Sequence, residues 1–415
     1  MHRITLILSS VVTASLALPA QSGWTAPQLL TSINTTASDT APHLWVDDLT
    51  LHFASFASGN WEIWSTTRPA RDLPFGQPVL ESALGSSGTD SNPFLTADGL
   101  EIYFETTRTG RLGGFDLMRA TRPSLGAPWN TPSFVTELNT TASEFAASLT
   151  ADGLEIYFLT TGWGVPYAPN NSVVVATRAD TNSPFGAPVL VQELFATQGT
   201  SDTHRDVHVS PDGLSIWCTR YESAARRINV QFATRPDRQS PWSVPQVLTE
   251  FANVGTLQGV YSFSVSADGS EAILAAGFAT SAGSQELMSS TFQGLTKTGI
   301  ASIGSVANLT YVDPGSAGQP YALSLSLGNT GFSLGGRSVP VDADWLFGLM
   351  LGVDFAPFTS GFAGTLDLQG RAVGSVSSLS TALAGTTMYG VGFTLDASAP
   401  FNVRTISNAV PIEFR

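Results

Sequence analysis

The sequence has little charge, a single cysteine and no long apolar run beyond its N-terminus. Asp, Glu, Lys and Arg make up 13% of the 415 residues, about half the share usual in globular proteins. Gly, Ser and Thr fill much of the difference, a mix that suits short strands joined by tight turns. Cys218 stands alone, so no intramolecular disulfide can form, and stability has to come from packing and sheet closure. In "SIWCT" this residue reads as a small hydrophobe inside a strand. No later stretch approaches 18 apolar residues, so no membrane span is expected. Acids outnumber bases 33 to 19, for a net charge of −14 and a pI near 4.6. Such a surface repels phosphate backbones, which argues against a nucleic-acid partner.

The N-terminus reads as a signal peptide over residues 1–20. Met1–Arg3 is a short basic start, Ile4–Leu18 is apolar apart from Ser and Thr, and "ALPAQS" offers cleavage after Ala17 or Ala20. No cysteine sits there to carry a lipid, so an exported protein that is not a lipoprotein is expected, in the periplasm, on the cell surface or outside the cell.

Five copies of one element follow: "VDDLTLHF" at 46–53, "ADGLEIYF" at 97–104 and again at 151–158, "PDGLSIWC" at 211–218 and "ADGSEAIL" at 267–274. Their first aspartates, Asp47, Asp98, Asp152, Asp212 and Asp268, are 51, 54, 60 and 56 residues apart. A second mark trails the first four copies, an arginine in "STTRP", "RATRP", "VATRA" and "FATRP": Arg68, Arg122, Arg178 and Arg235. A third is an aromatic with proline three residues on: Trp24/Pro27, Phe75/Pro78, Trp129/Pro132, Phe185/Pro188 and Trp242/Pro245. Asp-Gly is read as a two-residue hairpin turn. Each unit then holds four short strands, which is the content of a propeller blade. The first aromatic-x-x-Pro precedes the first hairpin, and none follows the fifth. The phase therefore predicts that the strand after Trp24 completes the last blade.

Two stretches, "LNTTASEFAASLTADGLEIYF" at 138–158 and "FDLMRATRPS" at 115–124, carry a resemblance to the WD40-like propeller repeat of the TolB kind, common in exported bacterial proteins. It covers about residues 24–292. It implies an all-β propeller, with five blades by direct count and six as the alternative, since six is frequent among such proteins. TolB also has an α/β domain before its propeller, for which there is no room here, so a TolB role in the envelope is not carried over.

The expected organisation is a signal peptide at 1–20, a propeller at 21–292, a linker at 293–310 and a small β-sandwich at 311–415. Strands in the last part are expected at 321–329, 345–352, 364–370, 388–396 and 406–414, broken by Gly, Asn and Pro. This part resembles a Gly-rich β-domain found at the C-termini of exported bacterial proteins, which implies attachment or assembly. The alternative is a sandwich that only stabilises the ring.

Catalytic motifs are missing. There is no G-x-S-x-G elbow, no G-x-G-x-x-G and no Walker loop. His204 and His208 are four apart, but on a strand that spacing separates them by about 13 Å, too far to share one ion. Neither a metal nor a cofactor is expected. Candidate ligand contacts remain. Asp39, Asp90 and Glu144 lie eight residues before their Asp-Gly marks; His204, with Asp206 nearby, and Val260 hold the place in the last two copies. The acids are expected where the chain enters the innermost strand, at one mouth of the channel. Carboxylates there suit a cation or a sugar, and a pair suits glycoside hydrolysis; the alternative is that each caps a turn or pairs with a repeated arginine. Trp163 and Tyr167, in the copy-specific insertion "TTGWGVPYAPNNS", are a second candidate, because loops carry function and flat rings stack on sugars. Trp61, Trp64 and Tyr221 also fall outside the repeat consensus. The expected protein is a monomeric binder of a protein or carbohydrate, with a glycoside-active enzyme as the rival.

Overall fold

The computed structural model describes residues 23–162, 171–195, 202–252, 254, 257–277, 285–334, 337–368, 370–378 and 380–415. The propeller has five blades. Their innermost strands are Asp39–Leu44, Asp90–Leu95, Glu144–Leu149, Thr203–Val209 and Leu257–Val265. Each is followed antiparallel by a second and a third strand. The outer strands of blades one to four are only two residues long, as in Val79–Leu80, leaving little free edge to pair with another chain.

Blade five borrows its outer strand from the other end of the chain. Gly23 and Trp24 pair with Gln293 and Phe292, and Gln28 and Leu29 with Ser289 and Met288, as the phase of the repeat predicts. The Trp24 ring seats among Phe251, Phe263 and Phe292, with centroids 5.5–6.0 Å away. Apolar residues collect in five clusters, each drawn from two neighbouring blades. A fully buried ring such as Phe53, Phe104 or Phe158 contributes roughly 2–3 kcal/mol. Because those rings sit between sheets, no blade holds its own core.

The three sequence marks meet in one brace. The repeated arginine donates from Nε to the carbonyl of the turn: Arg122 to Gly99, Arg178 to Gly153 and Arg235 to Gly213, each at 2.6 Å, and Arg68 to Asp48 at 3.0 Å. Its guanidinium lies 4.3–4.6 Å over the ring of the aromatic-x-x-Pro mark, Phe75, Trp129, Phe185 or Trp242. The turn itself is longer than the expected two residues. Thr96 N–H bonds the carbonyl of Glu101, so four residues form the loop, and Gly99 closes it at φ +70°. The Asp98 carboxylate accepts the Leu100 N–H and the Thr96 hydroxyl. In the first copy Asp48 stands in the glycine position, at φ +58°.

The expected linker at 293–310 is instead mostly sheet, two strands joined by a loop at 299–305. The strand Gln285–Thr298 runs unbroken from blade five into a hairpin with Val306–Val312, because residues 294–298 keep finding backbone partners there. That hairpin, with Arg371–Ser377 and Thr359–Ser360, makes one layer of a β-sandwich. Pro320–Ser326, Thr387–Leu395, Ala363–Thr365, Val403–Ile406 and Val410–Glu413 make the other. Leu295, Leu309, Tyr311, Leu323 and Phe362 fill the space between. The strand expected at 345–352 is a helix, α1 (Trp345–Met350). Asp344 caps it by accepting the Phe347 N–H, and the run holds no β-branched residue to favour a strand. The sandwich touches the Asp-Gly face of the ring. Gly299 N–H bonds Asp212, Arg371 pairs with Asp268, and Arg415 pairs with Asp237.

Candidate functional site

The innermost strands surround the axis, and those of blades one to three begin at the position of the expected acid ring. Asp39, Asp90 and Glu144 are fully buried rather than open to a mouth. Each turns back to a hydroxyl residue four positions earlier: Asp39 accepts the Thr35 N–H and hydroxyl, Asp90 the Ser86 hydroxyl, and Glu144 the Thr140 N–H and hydroxyl. Each also meets a hydroxyl residue at the end of its second strand: Ser55, Thr106 or Thr160. Asp90 further pairs with Arg108 at 2.7 Å. Burial raises the Asp39 and Glu144 carboxyls from the usual range. A carboxyl buried this deeply has to be saturated with hydrogen bonds, and its own blade does that. The three acids brace their own blades and do not open onto a mouth of the channel.

Two residues on, the innermost strand bulges. Ala41, Asn92 and Ala146 sit in the left-handed region at φ 49–52°. The bulge leaves Ala41–Pro42, Asn92–Pro93 and Ala146–Ala147 without register partners. All six residues line a cup of about 280 Å³, open mouth included, together with Asp206, His43, Phe94, Ser148 and His208. The Phe94 and His43 rings, 4.4 Å apart, and His208 close its floor. Below that floor lies a second cup of apolar character, rimmed by Val46, Ala97, Ala151, Pro211 and Ala267 beside the Asp-Gly turns.

The floor belongs to a belt of bonds between blades. Leu44 N–H reaches Ser264, Val209 N–H reaches Ser148, and Val265 N–H reaches His208 Nε2. His43 donates from Nε2 to the Leu95 carbonyl at 3.2 Å. In His208 the same nitrogen accepts, so the two rings take opposite tautomers. Burial lowers both, His208 to about 4 and His43 well below its ordinary value, with the nearby His208 and His52 adding to the effect on His43. Neither carries a charge near neutrality.

Asp206 is the carboxyl that lines the polar cup. Its Oδ1 accepts the Val207 N–H at 2.9 Å and its Oδ2 the Phe263 N–H of blade five at 3.0 Å. Burial pushes it up to about 7, with those N–H groups opposing and Glu105 adding to the rise. Glu105 is buried beside the cup, held by Ser91 and by two groups of the cup's own wall, the Asn92 side chain and the Ala146 N–H. Asp206 can therefore both donate and accept a hydrogen bond near neutral pH. Cys218 is buried, its thiol pushed up to about 12, and offers no nucleophile. Among the described residues no three His, Cys, Asp or Glu side chains converge on a common point for an ion.

Of the six candidates, Asp206 reaches the cup and the three acids do not. Trp163 and Tyr167 lie outside the described residues, in the chain joining Thr160 to Ser172. Trp61 packs on Phe56, and Tyr221 lies under Arg205. The belt at His43, Phe94, Ser148, His208 and Ser264 went unread, although aligning the copies shows it four residues beyond the acid position. Its variety within a repeated strand was the available signal.

No known protein-family model matches the sequence, and no curated protein does. Among solved structures, the chain is similar to TolB from Acinetobacter baumannii at 12% identity and a TM-score of 0.35, covering 88% of this chain and 67% of that one. An endo-arabinase from Bacteroides thetaiotaomicron matches at 12% identity and a TM-score of 0.43, covering 63% and 96%. Zg3597, a family 117 glycoside hydrolase of Zobellia galactanivorans, matches at 12% and 0.43, covering 65% and 90%. These are likenesses of fold, and no chemistry passes from them to this chain.

Proposed function

We propose that this chain is an exported, non-enzymatic, monomeric propeller that binds a protein or glycan partner on the face bearing the polar cup. One observation carries the reading. Among the described residues Asp206 is the single carboxyl lining that cup, whereas Asp39, Asp90 and Glu144 are held inside their blades. Hydrolysis of a glycosidic bond by two carboxyls needs both to face the substrate, about 5–10 Å apart. A lone carboxyl near its pKa, neutral imidazoles and three bulges instead suit hydrogen bonds to a polar ligand. The opposite face is partly occupied by the chain's own sandwich. Export through residues 1–20 belongs to the same reading; N-terminal sequencing of secreted protein is expected to begin after Ala17 or Ala20.

The test is a glycan-array and pull-down screen with the full mature chain and Asp206→Ala, alongside hydrolysis assays on chromogenic glycosides. Binding weakened by the substitution, without turnover by either protein, is the expected result. Turnover that disappears in Asp206→Ala would overturn the proposal in favour of a glycoside-active enzyme.

A further inference from the structure

The nine residues Trp345–Val353 contain no polar side chain. Within α1, Leu346 and Met350 enter the core between the sandwich layers, and Phe347 packs on Phe332 and Phe393. The remaining side is just as apolar and lies open. Trp345 is 69% exposed and Leu349 49%, four residues apart and so on one face. Between them, a side chain at Gly348 would meet no atom within 4 Å. Leu327, Val353 and Phe355 are exposed as well, Leu327 at the start of α1, where its N–H bonds the capping Asp344. Scattered exposed apolar residues need no explanation. A helix apolar on every side does, because water favours it only when every side is covered.

Charge selects the cover. From Ser338 to Gly370 the chain has no Lys or Arg but carries Asp342, Asp344, Asp354 and Asp367. Asp342 is held below the usual carboxylate range by the Thr330 hydroxyl and is ionised near neutrality. A second copy would bring the same acids and a net charge of −14 against them, and an anionic bilayer is repelled for the same reason. We propose that this ridge docks a basic, apolar segment of a partner protein, with Leu- or Phe-like side chains against Trp345 and Leu349 and Lys or Arg beside Asp342, Asp344 and Asp354. The site is separate from the polar cup and does not depend on what binds there.

The test uses the full mature chain with a labelled amphipathic Leu/Lys peptide and a Leu/Glu counterpart, read by fluorescence anisotropy. The Leu/Lys peptide is expected to bind and the Leu/Glu peptide to fail. Trp345→Ser with Leu349→Ser should weaken binding roughly ten- to a hundredfold, while Val189→Ser, exposed on the ring, leaves it unchanged. If the double variant shifts the melting temperature, Leu349→Gln alone serves in its place, with weakening again expected. Equal binding of both peptides, or undiminished binding by a folded ridge variant, overturns the proposal. So does dimerisation, or binding to phosphatidylcholine vesicles, that vanishes in that variant.

Discussion

In blades one to three the innermost strand starts on an acid; in blade four the same position, second in its strand, is a histidine. Asp39, Asp90 and Glu144 each answer to Ser55, Thr106 or Thr160 sixteen residues on. His204 faces Arg220 across the same pair of strands, and Val260 of blade five faces Ala276. Both partners change together: a hydroxyl answers each acid, whereas His204 and Val260 are set against an arginine and an alanine. Blade four instead carries its acid two residues later, where the other blades bulge, and there it meets the cup. A residue kept at the same step of a repeat braced the repeat. The acid that departs from the step lines the polar cup.

The comparison breaks most readily at Asp90. Asp90→Ala removes the partner of Arg108, a residue itself largely buried, and strands two hydroxyls. Breaking such a pair costs about 3–5 kcal/mol, measured by chemical denaturation. A loss under about 1 kcal/mol, the scale of an exposed ion pair, would mean the carboxylate is not a brace.

Blade five extends the contrast, because it borrows a strand that the others own. Trp24→Ala is expected to cost about 2–3 kcal/mol, below the range for a fully buried Trp because Trp24 keeps partial exposure. Unfolding of this variant should begin at the seam, with hydrogen exchange rising first along 285–293, opposite the borrowed strand. Uniform exchange around the ring would show that closure does not depend on this strand.

The smallest effect sharpens the reading of Asp206. Its folded value is about 7, raised mainly by burial, against an ordinary 3.8. A raised carboxyl stabilises the fold fully below its unfolded value, and that contribution is lost as pH rises through about 7. Asp48, raised to about 6, acts in the same direction. His52, His204 and His208, lowered to about 4, act oppositely, losing stability as pH falls below 6.5. Asp206→Asn removes one contribution from this balance. Its melting temperature relative to the parent should therefore be higher at pH 8 than at pH 5. An identical difference at both would place the Asp206 carboxyl outside this titration.

Much of the fold was legible because repetition is a one-dimensional signal. Five copies of the hairpin element, four of them with Asp-Gly, four arginines and five aromatic-x-x-Pro marks pointed to five blades with six left open, to the all-β class and to the strand that closes the ring. Local chemistry carried each inference: a glycine at positive φ, a proline that interrupts pairing, an alternation of period two. What the marks do together was decided only in three dimensions. Arg122, Gly99 and Trp129 belong to one repeat but to different strands and turns, and they become one brace when the outer strands fold back along the sheet. The direction of each carboxyl was also a tertiary matter. Asp90 and Asp206 look alike in sequence, yet a serine four residues back and a threonine at the end of the neighbouring strand hold one inside its blade. The other finds its partners in the backbone of blades four and five, at the edge of the axis. At 345–352 the short apolar run did not distinguish strand from helix by pattern. The Asp344 cap and the core waiting beneath Leu346 and Met350 settled it.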